Sequence, residues 1–94
     1  DGAGNMAGVQ DKIAIVTGGA DGMGAATCRI FAERGATVVI TDVKEELGAK
    51  LAAEIGGGAA FKKLNVASEQ DWIDVVAFTM EKFGRIDALV NNAG

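Results

Sequence analysis

Histidine is missing from this 94-residue sequence, and cysteine occurs once, at position 28. Zinc needs a cluster of such ligands, so a zinc site is not expected. A single cysteine forms no intrachain disulfide, which permits a reducing compartment, and a cytoplasmic location is expected. Within a helix, Cys28 is expected to act as a small buried hydrophobe. No apolar run approaches the length of a membrane span. Residues 1–8 lack the basic start and apolar stretch of a signal peptide. There is no basic run either, and the formal charge is −4. Nucleic acid and membrane surfaces are therefore not expected partners, and a solvated acidic face accounts for the charge.

What is present is apolar: 49% of the residues are hydrophobic, so disorder is not expected. A chain of this size buries roughly 60–65% of its unfolded surface, enough for one modest core. One domain is expected over residues 9–94. Residues 1–8 read as a flexible N-terminus or an appended remnant, with Met6 a candidate native start.

The chain is organised around Ile13 to Gly24. Ile13-Ala14-Ile15-Val16 is a short apolar run that fits a strand buried on both faces. Gly18, Gly19, Gly22 and Gly24 crowd the loop that follows, and helical spacing begins at Met23. A buried strand, a glycine turn and a helix N-terminus make a phosphate cradle: backbone N–H groups point outward and missing Cβ atoms allow close approach. A nucleoside-triphosphate loop would continue with Lys-Ser/Thr, but Ala25-Ala26 follow, so that class fails. The spacing Gly-x-Gly-x-x-Gly is absent too, because Ala20 stands at its second glycine.

The observed spacing, Thr17-Gly18-x-x-x-Gly22-x-Gly24, resembles the cofactor motif of the short-chain dehydrogenase/reductase family. Three later positions extend the resemblance to most of the chain. Asp42 closes a second β-branched run, Thr37 to Thr41, about two dozen residues past Gly18. That is close to the spacing of a carboxylate that binds an adenosine ribose, through charge-assisted hydrogen bonds worth roughly 1.5–3 kcal/mol. Asn65-Val66 resembles the family's Asp-Val pair beside the adenine, although Asn65 departs from the aspartate. Asn91-Asn92-Ala93-Gly94 resembles the family's Asn-Asn-Ala-Gly motif near the cofactor riboses, with Asn91 stabilising the sheet. The resemblance implies cofactor contacts from Gly18, Asp21, Gly22, Met23 and Gly24, from Asp42 and Val43, from Asn65 and Val66, and from Asn92, Ala93 and Gly94.

The remaining elements fit this order. Met23, Thr27, Ile30, Phe31 and Arg34, with Ala26 in the seam, predict a helix face ending at Gly35. Leu47, Leu51 and Ile55 predict a second helix, ended by Gly56-Gly57-Gly58. A third strand is expected over Ala60–Leu64. Ser68-Glu69-Gln70-Asp71 reads as a helix N-terminal box, followed by the stripe Trp72, Val75, Val76, Thr79, Met80 and Phe83. Trp72 and Met80 are expected to be core residues. A fourth strand is expected over Ile86–Val90. The β-α-β-α-β-α-β order implies an α/β fold, a Rossmann-type doubly wound parallel sheet of which only the first four strands and three helices are present.

NAD is expected over NADP. A 2′-phosphate beside Asp42 would bring like charges together, Asp21 would add to the repulsion, and no arginine stands at Val43 or in the loop, although Lys44 could soften the penalty.

In the resembled family a serine, a tyrosine and a lysine in a later segment handle the hydroxyl proton while a hydride moves between nicotinamide and a carbonyl or alcohol carbon. This sequence contains no tyrosine, and no catalytic residue is assigned in it. It is expected to be the NAD(H)-binding part of an oxidoreductase acting on a secondary alcohol or ketone, inactive alone and prone to aggregate or oligomerise. A homo-oligomeric parent is expected by analogy. Steroid, sugar alcohol, acyl-carrier thioester and small ketone remain open as substrates. An S-adenosylmethionine-dependent transferase also uses a glycine loop and a later acid. However, it usually has an acidic residue where this chain has Val16-Thr17, and it leaves Asn91–Gly94 without a role. A non-catalytic nucleotide-sensing or interaction module of the same fold is the alternative, discriminated by whether Tyr-x-x-x-Lys follows Gly94.

Overall fold

The computed structural model describes residues 8–92. The expectations for residues 1–7, and for Ala93 and Gly94 as cofactor neighbours, lie outside the described residues. Among those described, strands β1 (Ile13–Thr17), β2 (Thr37–Asp42), β3 (Ala60–Lys63) and β4 (Ala88–Asn91) alternate with helices α1 (Gly22–Glu33), α2 (Glu45–Ile55) and α3 (Glu69–Phe83). The strands form one parallel sheet in the order β3-β2-β1-β4. The chain steps outward from β1 to β3, then returns across β1 to lay down β4. Strand order therefore reverses between β1 and β4, the place where open α/β sheets bind ligands. None of the helices is long and apolar enough to cross a membrane.

Alternation along the strands builds two cores. Ile13, Ile15 and Val39 join Leu64 and Val75 on one face, where Trp72, Phe78, Phe83 and Ile86 pack from α3 and its C-terminal end. Val16, Val38 and Ile40 join Cys28 and Leu51 on the other, under α1 and α2. All five residues of β1 are buried, which explains why its sequence is apolar from Ile13 to Val16 instead of alternating.

The helix faces differ from the expected stripes. In α1 the buried residues are Gly24 and Cys28, with Ala25 and Phe31 packed beside them. Met23 is 80% exposed, and Ile30 and Ala26 are exposed too. Small residues win this face because they let the helix backbone come close to the loop: a Cβ on Gly24 would lie 1.8 Å from the Gly18 carbonyl oxygen. In α2, Leu51 is buried and Ile55 half-buried, but Leu47 is exposed and Gly48 faces the sheet. The Phe61 ring fills the space where a Gly48 side chain would be. In α3, Val75 and Thr79 are buried and Trp72 and Phe83 half-buried, while Val76 and Met80 are exposed.

Strand ends also shift slightly. Pairing at β3 runs one residue past its end, since the Leu64 N–H donates to the Asp42 carbonyl at 3.1 Å. β4 starts at Ala88 instead of Ile86. The Ile13 N–H is taken at 2.8 Å by the Asp87 carboxylate, so a side chain occupies the place of a ladder carbonyl.

Candidate functional site

The glycine turn is held from below. Gly19 N–H donates to the Thr41 carbonyl at 3.0 Å, and the Thr41 hydroxyl donates to the Val16 carbonyl at 2.9 Å. The Cys28 thiol lies under the turn, 3.9 Å from the Gly19 carbonyl. Burial pushes its pKa up to about 11, against a smaller opposing pull from Arg29. It is a packing group and not a nucleophile.

Gly22 opens α1 with φ +58°, and nothing lies within 4 Å of the point where its Cβ would project. That backbone favours glycine, and the space beside it is open. The residue before it, Asp21, occupies the N-cap position yet makes no side-chain cap hydrogen bond, and the first turn contains no acid. The amides of Gly22, Met23 and Gly24 are thus not taken by a cap. In α3, by contrast, the Ser68 hydroxyl accepts from the Asp71 amide at 3.1 Å.

The Asp21 carboxylate turns instead to Lys44, with Nζ 2.6 Å from Oδ2. Lys44 has its pKa raised, first by the hydrogen bond to Asp21, then by the charges of Asp21 and, less, Asp42. Asp42 is engaged through both oxygens. Oδ2 accepts from the Ala20 amide at 3.1 Å, and Oδ1 from the Lys44 amide at 3.0 Å. This carboxylate therefore ties the glycine turn to the end of β2 before any ligand is considered.

At the tip of β3 the helix behind holds the backbone in place. Asp71 does not complete a reciprocal box with Ser68; its Oδ2 accepts from the Asn65 amide at 2.9 Å. The Trp72 indole N–H donates to the Val66 carbonyl at 2.9 Å. Asn65 closes a local turn, its Oδ1 accepting from the Ala67 amide at 3.0 Å. Gly18, Asp42, Val43, Leu64, Asn65 and Val66 together line a groove of about 160 Å³ at the strand tips. A larger open depression of about 300 Å³, lined by Arg29, Ala32, Glu33 and Ile55, lies between α1 and α2. It is the weaker candidate: Gly18 of the glycine turn and the strand-end residues Asp42 and Asn65-Val66 line the other groove.

Thr17 joins the last part of the site. Its hydroxyl donates to Asn91 Oδ1 at 2.8 Å and accepts from the Asn92 amide at 3.0 Å. Asn91 thus braces the switch point, and the Asn92 backbone is drawn to the tip of β1. Expected site residues from the loop, β2, β3 and β4 all stand at one end of the sheet. The supporting residues Thr17, Asp71 and Trp72 and the ion pair to Lys44 were not apparent as such in the sequence. Thr17 lay inside the glycine motif, but nothing in the local spacing signalled that Asp71 and Trp72 reach back six residues.

A parallel sheet in this order, with a glycine turn after the first strand and an acid at the tip of the second, defines a Rossmann-type nucleotide-binding α/β fold. The family model for short chain dehydrogenase matches residues 12–94. The chain belongs to that family. It is 52% identical over 84 residues to short-chain dehydrogenase reductase 4 of Arabidopsis thaliana, covering 88% of this chain and 28% of that protein. It is 46% identical over 86 residues to tropinone reductase-like 1 of Erythroxylum coca, covering 92% and 32%. Against cyclopentanol dehydrogenase of Comamonas testosteroni the identity is 48% over 92 residues, covering 95% and 37%. Among solved structures it resembles the 3-ketoacyl-(acyl-carrier-protein) reductase of Brucella melitensis complexed with NADH. That match has a TM-score of 0.83 at 33% identity and covers 86% of this chain and 34% of the other. The chain spans about a third of the length of the curated relatives it matches.

Proposed function

We propose that residues 9–94 form the NAD(H)-binding part of a short-chain oxidoreductase acting on a secondary alcohol or ketone. The observation that carries this reading is that Gly18 of the glycine turn, Asp42 and the Asn65-Val66 turn line one groove, at the end of the sheet where α1 starts without a side-chain cap. The residues present fit an adenine dinucleotide. The amides of Gly22 to Gly24 suit its pyrophosphate, because they are donors at the positive end of a helix and no side chain takes them. Asp42, already oriented by two amides, has lone pairs left to accept from ribose hydroxyls. The Asn65 amide nitrogen is a donor for the adenine edge, between the apolar Val43 and Val66. Asn92, with Ala93 and Gly94, would border the second ribose.

When bound, the nicotinamide exchanges a hydride with a carbonyl or alcohol carbon. This chain's residues bind and orient; the proton-handling serine, tyrosine and lysine of the family resemblance are not assigned among them. Residues 1–94 alone are therefore proposed to turn over no alcohol. Relatives bearing the names reductase and dehydrogenase, and a structural neighbour holding NADH, support the reading. Titration with NADH and NADPH, followed by the quenching of Trp72 fluorescence or by calorimetry, tests it. Tighter binding of NADH is expected. Equal affinity would remove Asp42 from the role of discriminator, and no binding of either would end the dinucleotide reading.

A further inference from the structure

β3 lies at one edge of the sheet, paired with β2. Its last ladder contact is the Leu64 N–H on the Asp42 carbonyl, at 3.1 Å. Asn65 and Val66 run beyond that contact, and both are exposed. Their hold comes from the first turn of α3. The Asp71 carboxylate accepts the Asn65 N–H at 2.9 Å, and the Trp72 indole N–H donates to the Val66 carbonyl at 2.9 Å. The Trp72 ring packs against the core cluster that contains Leu64 and Val75, so packing fixes the direction of its N–H. Stability does not demand these two bonds, because water can serve an exposed amide or carbonyl at little cost. What they fix is direction. The Asn65 carbonyl and Oδ1 are also taken, by the Ser68 and Ala67 amides at 2.8 and 3.0 Å. Among the described residues, the Val66 N–H and the Asn65 side-chain nitrogen are the donors left without a protein partner at this tip. Both residues line the groove.

We infer that Asp71 and Trp72 are positioning residues for base recognition: from the first turn of α3 they hold the Asn65-Val66 turn at the angle at which its free donors meet the base of a bound nucleotide. Neither lines the groove. They act through one backbone group each of the two residues that do. A tip already fixed by the helix loses little freedom when a base docks on it, so binding need not supply that order. Ser68 makes the arrangement possible. Its hydroxyl takes the Asp71 N–H at 3.1 Å and caps the helix, which leaves the Asp71 carboxylate to reach backwards. The inference rests on the dinucleotide reading proposed above.

The test compares adenosine 5′-monophosphate with ribose 5-phosphate, which lacks the base. Calorimetry reads the ratio of their affinities for the chain, with ribose 5-phosphate measured by displacement. The wild type should bind the adenosine probe more tightly. Trp72→Phe keeps a ring in the core but has no N–H, and it should cut the ratio by about fivefold. Asp71→Ala should cut it by roughly tenfold. Asp71→Asn keeps an acceptor for the Asn65 amide and should recover most of that loss. Affinity for ribose 5-phosphate should be nearly unchanged throughout. A merely structural role would not move the ratio, because loss of folded chain weakens both probes alike. An unchanged ratio in Trp72→Phe and Asp71→Ala would therefore overturn the positioning role while leaving the cofactor reading intact. A wild type that binds the two probes equally would overturn it too, since no base is then read at the tip. If the wild type binds neither probe, the dinucleotide reading itself falls, and this inference with it.

Discussion

The two ends of the sheet use the same device for different ends. At the amino end, the Asp87 carboxylate accepts the Ile13 N–H at 2.8 Å and is flanked by its own cation, Arg85, at 2.8 Å. Arg85 also donates to the Asp11 carbonyl, so the beginning of β1 is tied to the approach to β4. At the carboxyl end, Asp42 likewise accepts backbone N–H groups, from Ala20 and Lys44. Its neighbouring cation, however, gives its charge to Asp21. Asp87 is closed off by local partners and serves cohesion. Asp42 is oriented by the Ala20 and Lys44 amides and lies on the proposed cofactor groove. A carboxylate bound to main-chain amides is therefore no sign of function by itself; what distinguishes the two is that Asp87 is paired with Arg85 whereas the Lys44 ammonium is paired with Asp21.

The largest effect is expected where the carboxyl end of the sheet is most tightly packed, at Gly24 against Gly18. Gly24→Val should destabilise the chain by about 3 kcal/mol, the upper range for forcing atoms into packed space, and should abolish nucleotide binding. Chemical denaturation reads the first effect and titration the second. If the Gly24→Val variant were well folded and still bound nucleotide, α1 would have to be able to lift away from Gly18.

Cys28 reports on the same packing. With its thiol pushed from 9.0 to about 11, its alkylation near pH 8 should run about a hundredfold slower than that of an ordinary thiol. The rate should recover in denaturant. Fast labelling of the folded chain would show that the turn over Cys28 opens.

Asp42→Ala should weaken NADH binding by about thirtyfold, the equivalent of one charge-assisted hydrogen bond. It should also loosen the turn through loss of the Ala20 contact.

Asp87→Asn should do the reverse, lowering the thermal midpoint by a few degrees at pH 7 while leaving nucleotide affinity nearly unchanged. The Asp87 pKa is held below its ordinary 3.8, first by the Ile13 amide and then by Arg85, with burial opposing. Its stabilisation is therefore fully present above about 3.8 and is lost as pH falls through the lower folded-state value. The gap between wild type and Asp87→Asn should close over that acid window. A gap that persists there, or an Asp87 variant that loses cofactor, would erase the distinction between the two ends.

Much of this was legible before the structure. The apolar run of β1, the β-branched run of β2 and the glycine spacing between β1 and α1 are local patterns, and they pointed to a parallel sheet and to the region of the site. The helix faces were not legible. Met23, Ile30 and Leu47 have the hydropathy and spacing of core residues, but Gly24, Cys28 and Gly48 face the sheet. Periodicity marks that a helix has a face and weights it toward large side chains; it carries no information on how close two backbones come. In Ser68 to Asp71 both the hydroxyl and the carboxylate accept from backbone amides as expected, but only one of these amides is in the helix. The serine caps as the spacing suggests, but the aspartate finds the Asn65 amide, which the turn brings within reach.

From composition and spacing alone came the parallel α/β class, the phosphate-type turn and the acid at the tip of β2, because each depends on neighbours within a few residues. Tertiary structure alone decided that Asp42 grips Ala20, that Thr17 spans to Asn91 and Asn92, and that Lys44 is committed to Asp21. Those contacts join residues from 22 to 75 positions apart, and only the stacking of strands side by side brings such distant groups within hydrogen-bond reach.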